Sequence, residues 1–163
     1  MTDSMSPQKK LQRLKDRAAR LLAMRDHSEQ ELRNKLLRTD NRDPGQEVSA
    51  SQVEEVINWC HEHNWLNDEH FASRYIQSRA RKGYGPQRIS QELMQKGIPR
   101  EMVNAALAAS DLDWTSLARE QAFRKAGADL PVEFADKIKL QRFLLYRGYY
   151  MEDIQDLYRN FPE

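Results

Sequence analysis

Four residues that could hold a metal fall close together in the chain: Cys60, His61, His63 and His70. A closed zinc site needs several thiolate or imidazole donors aimed at one point, ordinarily as two spaced pairs. Cys60 and His63 are one helical turn apart, but no second Cys/His pair follows, and Cys60 also completes an apolar stripe with Val53, Val56 and Ile57. The expectation is a core cysteine with exposed histidines, and no cofactor. Ser28 stands beside His27, yet neighbours at a helix start face different ways and nothing orients them as a nucleophile and base. Ser28 and Glu31 instead match the S-x-x-E capping box that opens a helix carrying Leu32 and Leu36. The run Gly-Tyr-Gly-Pro-Gln-Arg, 83 to 88, lacks the third glycine of a dinucleotide loop and follows a helical rather than a strand pattern. No phosphate-binding GxxxxGK[ST] occurs anywhere. The chain is therefore expected to be no enzyme.

What remains chemically distinctive is charge. Formal net charge is +1, but residues 1 to 39 carry +5, 40 to 70 carry −7, 71 to 100 carry +6 and 101 to 163 carry −3. Segregation of this kind suits a polyanionic partner or one of mosaic charge. The strongest concentration lies in "QSRARKGYGPQRISQELMQKGIPR", residues 77 to 100, with six basic side chains and one acid. Arg74 and Arg81 are seven apart, two turns along one helix face, and Arg79, Lys82 and Arg88 flank the Gly-Tyr-Gly-Pro turn. Tyr84, between two glycines, belongs to no apolar stripe. Either it stacks on a base or enters a partner's groove, or it folds back on its own module.

These residues must be held by helices, because helical signals run through almost the whole chain. Leu14, Ala18, Leu21 and Leu22 form one stripe; strand-like alternation is nearly absent. Asp68 and Asp113 are candidate N-caps, Pro86 follows Gly85 at a helix start, and Gly97 stands where a helix would stop. The polar stretch 39 to 51 reads as a long loop. Trp59, Trp65, Phe71, Tyr75 and Trp114 are expected to pack in or near the core. A single cysteine excludes an internal disulfide framework and fits a reducing compartment. No apolar run approaches the length of a membrane span, and the start has no apolar signal core. The expectation is a soluble cytoplasmic monomer.

The chain also repeats. A shift of 51 lays Arg88, Leu93, Lys96-Gly97 and Val103 onto Lys139, Leu144, Arg147-Gly148 and Ile154. A shift of 57 lays Ser28, Leu32 and Leu36 onto Gly85, Ile89 and Leu93, with the polar loop replacing the Lys-Gly step. Three modules result, 8–64, 68–109 and 113–161, each of about three helices. One short module cannot bury its apolar face alone, so an elongated all-α array of three tandem three-helix repeats is expected. Such an array would carry Arg74, Arg79, Arg81, Lys82, Tyr84, Arg88, Lys96, Lys139 and Arg147 along one side as a partner-binding set.

"RDHSEQELRNKL" (25 to 36), "WCHEHNWLND" (59 to 68), "RYIQSRARKGYGPQRISQELMQKGI" (74 to 98) and "QRFLLYRGYYMEDI" (141 to 154) resemble the RecX family, regulators of the RecA recombinase. The resemblance runs from about residue 14 to the C-terminus. It implies tandem three-helix repeats and a protein that binds RecA filaments on DNA, restraining recombination, ATP hydrolysis and co-protease activity. The residues alone leave a second reading open: a helical protein that binds nucleic acid without sequence preference, for which the basic stripe suffices and RecA is incidental.

Overall fold

The computed structural model describes residues 6–38, 48–127 and 129–159, with the backbone alone at Arg159. Among them stand nine α-helices and no strand: α1 (Pro7–Met24), α2 (Glu29–Leu37), α3 (Ala50–Glu62), α4 (Asp68–Arg81), α5 (Pro86–Gln95), α6 (Arg100–Ala109), α7 (Trp114–Ala126), α8 (Phe134–Arg147) and α9 (Met151–Arg159). They fall into two compact units. The first comprises the described residues up to Phe71 with Lys96–Ile98; the second comprises Ala72–Gln95 with those from Pro99 onward.

The caps explain most boundaries. The Ser28 hydroxyl accepts the Glu31 N–H at 3.1 Å while Glu31 accepts the Ser28 N–H at 3.2 Å, so two otherwise orphaned donors of α2 are satisfied reciprocally. Asp113 caps α7 through the Ser116 N–H. Asp68 does not cap α4: the Asn67 carboxamide accepts the His70 N–H at 3.1 Å, and Asp68 instead accepts the Glu29 N–H of α2 at 2.8 Å. Both residues suit an N-cap; Asp68 is taken by another helix's orphan donor, which leaves the cap to its neighbour. Much of the expected loop, residues 39 to 47, lies outside the described residues. Its last two residues belong to α3, which Ser49 caps by accepting the Gln52 N–H.

The first unit packs α1, α2 and α3 around Leu14, Ala18, Leu32, Leu36, Val53, Val56, Ile57, Cys60 and Leu66. Burial alone pushes the Cys60 thiol up to about 11, which leaves it an unreactive apolar filler at neutral pH. The second unit sets α7 against α9 and α8 around Ala118, Ala122, Leu140, Leu144, Tyr149, Ile154 and Leu157. Trp65 departs from expectation: it is 46% exposed. It sits past the end of α3, stacked on His63 at 4.9 Å and edge-on to the half-buried Trp59, in a cluster the apolar stripe does not reach.

The repeat spacing reappears as contacts. Gly97 and Gly148, 51 residues apart, both have left-handed backbones, φ +85° and +105°. In the first unit the Ser28 hydroxyl donates to the Lys96 carbonyl at 2.7 Å. In the second, Gly85 takes the place of Ser28 and Arg147 that of Lys96: the Gly85 N–H donates to the Arg147 carbonyl at 2.8 Å. One docking geometry, a helix start seated on a glycine turn, is built twice.

Around the first of these the charges interlock. Glu31 pairs with Arg25 at 3.0 Å and Lys96 at 3.2 Å. Burial raises its pKa, but the hydrogen bonds from Arg25, the Ser28 N–H and Lys96 outweigh that and hold the carboxyl at about 2. A carboxyl depressed in the fold contributes stability above its ordinary pKa and loses it as pH falls through the folded value. Glu31→Gln is therefore expected to lower stability at pH 7 by about 2–3 kcal/mol, with the gap to the parent closing between about pH 4.5 and pH 2. Denaturant melts across that window check it. A gap that does not change with pH would mean the loss is one of packing or capping.

Candidate partner-binding site

The Gly-Tyr-Gly-Pro turn joins α4 to α5, and its glycines serve close approach. A Cβ on Gly85 would collide with the Gly148 and Tyr149 backbones; one on Gly83 (φ +95°) would collide with the buried Gln121 carboxamide. The fully buried Tyr149 locks the contact by donating its hydroxyl to the Gly83 carbonyl at 3.0 Å. The Gln87 N–H, an orphan donor at the start of α5, donates to the Gly148 carbonyl at 2.9 Å. This docking brings Arg147, at the end of α8, to residues nearly sixty positions earlier.

The result is a cluster around Tyr84. The guanidinium carbons of Arg79, Arg88 and Arg147 lie 3.9, 4.5 and 5.0 Å from the centre of its ring. All are within cation–π range, and the ring's negative face offsets some of their mutual repulsion. Among the described residues, Glu92 is the carboxylate bonded to Arg79 and beside Arg88. Glu92 accepts two hydrogen bonds from Arg79, at 3.0 and 2.9 Å, one from the Tyr75 hydroxyl at 3.1 Å, and lies 3.8 Å from Arg88. Arg88 also lies 5.3 Å from the Tyr146 ring and donates to the Tyr146 carbonyl at 3.4 Å, so its guanidinium is shared between two tyrosines.

Tyr84 is half-buried, with guanidiniums of its own unit around its ring. Arg74 projects from α4 as an exposed side chain, Arg81 and Lys82 are exposed where α4 ends, and Lys139 is exposed on α8. Lys96 lies in the first unit, paired with Glu31, and is not part of the Tyr84 group. Arg88, which flanks the turn, is half-buried between the Tyr84 and Tyr146 rings.

Sequence reasoning missed Glu92 and Tyr146. Glu92 was visible as the lone acid of the basic stretch, in helical register with Arg88. Nothing local signals Tyr146, which becomes relevant only through docking. Among the described residues no group of three His, Cys, Asp or Glu could hold a metal ion, and no helix is long and apolar enough to cross a membrane.

Short helices joined by tight turns, with a guanidinium cluster around Tyr84, define a modular helical protein. Family models match at residues 15–40 (RecX, first three-helix domain), 67–107 (second) and 111–157 (third). The chain is 57% identical over 166 residues to regulatory protein RecX of Escherichia coli O7:K1 (strain IAI39), covering all of both chains. It is 57% identical over 164 residues to that of Cronobacter sakazakii (strain ATCC BAA-894), covering 99% of each. The crystal structure of RecX from Lactobacillus salivarius superposes with a TM-score of 0.74 at 19% identity, covering 93% of this chain and 96% of that one. This chain belongs to the RecX family, and its fold is all-α with three three-helix domains.

Proposed function

We propose that this chain is a non-catalytic regulator that binds RecA filaments on DNA in the cytoplasm and inhibits RecA's recombinase, ATP-hydrolysing and co-protease activities. Family membership supports the regulatory role. The observation that carries the mode of action is the cluster of Arg79, Arg88 and Arg147 on Tyr84. Arg81 and Lys82 extend that positive field into solvent. A nucleoprotein filament offers acidic protein surface and phosphate together, and both attract such a field in a salt-dependent way. Of the three modules, 8–64, 68–109 and 113–161, the second and third supply the basic side chains that carry the function, while the net −7 of residues 40 to 70 discourages tight binding to bare DNA.

The test is steady-state ATP hydrolysis by RecA on single-stranded DNA, titrated with the purified protein beside a titration of the DNA alone. The expected result is suppression of hydrolysis at concentrations at least about tenfold below those that coat naked DNA, weakening as salt rises. Suppression that appears only once the DNA is saturated would mean that occupancy of nucleic acid, not recognition of RecA, is the activity.

A further inference from the structure

We propose that the groove between α5 and the end of α8 is a stacking site for a base of single-stranded nucleic acid, with Tyr146 as its platform. This goes beyond RecA regulation and does not depend on it. The groove is an open, polar cleft of about 440 Å³, lined among others by Gln87, Arg88, Gln91, Glu92, Gln95 and Tyr146.

Three observations converge on this ligand. First, Tyr146 is 75% exposed yet anchored: Arg88 lies against its ring at 5.3 Å and donates to its carbonyl at 3.4 Å. An aromatic ring held by a cation and open to solvent loses little freedom when a base stacks on it, and every base has a face to offer. Second, Gln87, Gln91 and Gln95 recur every four residues and so form one exposed stripe along α5. Each carboxamide both donates and accepts, as the edges of bases do. Third, Arg88 lines the groove, and the carboxylate that lines it too, Glu92, is already held by two hydrogen bonds from Arg79. A phosphate at the groove therefore meets the Arg88 guanidinium beside a carboxylate whose charge is already matched. An acidic protein segment would use the charge but has no need of an exposed ring beside a row of amides; a nucleotide uses all three.

The test is fluorescence anisotropy of the full-length protein with a labelled oligothymidylate and with an abasic strand of equal length, each over a salt series. The parent chain is expected to bind oligothymidylate more tightly than the abasic strand. Tyr146→Leu should weaken oligothymidylate binding about tenfold while abasic binding and the salt slope stay as they were, because stacking is lost and no charge is. Tyr146→Trp should bind at least as tightly as the parent, so a folding defect in the leucine variant cannot stand in for a lost stack. Arg88→Gln should flatten the salt slope by about one phosphate contact. Any of three results overturns the proposal: equal affinity of the parent for the two strands, unchanged oligothymidylate binding by the leucine variant, or equal weakening on both strands. Loss of RecA inhibition by Tyr146→Leu with oligonucleotide binding intact would overturn it too, making the groove a protein-docking surface. Loss of oligonucleotide stacking with RecA inhibition intact would uphold this inference and leave the RecA proposal standing separately.

Discussion

Replacing Arg81 and Lys82 together by glutamate is expected to abolish inhibition of RecA ATP hydrolysis and to move the melting temperature by no more than about 2 °C. Both side chains are exposed where α4 ends, beside the Tyr84 cluster. Substitutions at such positions usually change stability by about 0.5 kcal/mol or less. Two charge reversals change the net charge from +1 to −3, and the change falls where the local excess is largest. Binding that depends on a summed field loses both attractive terms and gains two repulsive ones, first in association rate and then in affinity. Sequence reasoning would add Arg88 to this set as another polar-face residue. The structure separates it, because Arg88 is wedged between Tyr84 and Tyr146, and its reversal would put a carboxylate beside Glu92. A defect in an Arg88→Glu variant would therefore mix lost binding with lost packing, whereas the double variant isolates charge. Full inhibition by the double variant places the interface elsewhere. A fall in melting temperature of several degrees would make these side chains structural.

The largest stability loss is expected at a residue with no side chain. Gly85→Ala puts a methyl group against the Gly148 and Tyr149 backbones, which cannot move aside as a flexible side chain can. Overpacking a core ordinarily costs about 1–3 kcal/mol, and a clash with main chain that also stretches two interlocking hydrogen bonds belongs at or above the top of that range. The expected result is a loss of about 3 kcal/mol, a fall in melting temperature on the order of 10 °C. Loss of RecA inhibition should accompany it, since Arg147 would no longer be held on Tyr84. Gly127 supplies the control. Its φ is +90°, but among the described residues, its chain neighbours aside, nothing lies within 4 Å of the added carbon. Gly127→Ala meets the torsional penalty of its φ +90°, ψ −175° backbone without a main-chain clash, about 1–3 kcal/mol. Equal melting temperatures for the two variants would mean that the turn yields and the docking is not rigid. A Gly85→Ala protein that melts far lower yet inhibits fully while folded would separate the junction from function.

These two variants divide along what sequence can and cannot determine. The helices follow from local rules. Apolar residues at helical spacing in α1 and α3, the reciprocal cap at Ser28 and Glu31, and the glycines that end α5 and α8 each depend on neighbours within a few positions, so the text of the chain contains them. The three-module repeat was legible for the same reason, since equivalent positions keep equivalent residue types, and the basic stretch of residues 77 to 100 needed only counting. Where two local candidates competed, local rules could not choose: Asn67 and Asp68 both suit a cap, and a backbone N–H thirty-nine residues earlier claims the second. The site itself is of this second kind. That Arg147 joins Arg79 and Arg88 on one ring, and that Tyr146 stands supported by Arg88, both require Gly85 and Gly148 to bring two backbones into contact. Residues 58 to 68 positions apart meet there because a buried tyrosine and a pair of glycines leave room for nothing else. Sequence thus determined which charges this protein carries and on which helices. Only packing decided which of them act on the same few ångströms, because that depends on distances that no spacing along the chain encodes.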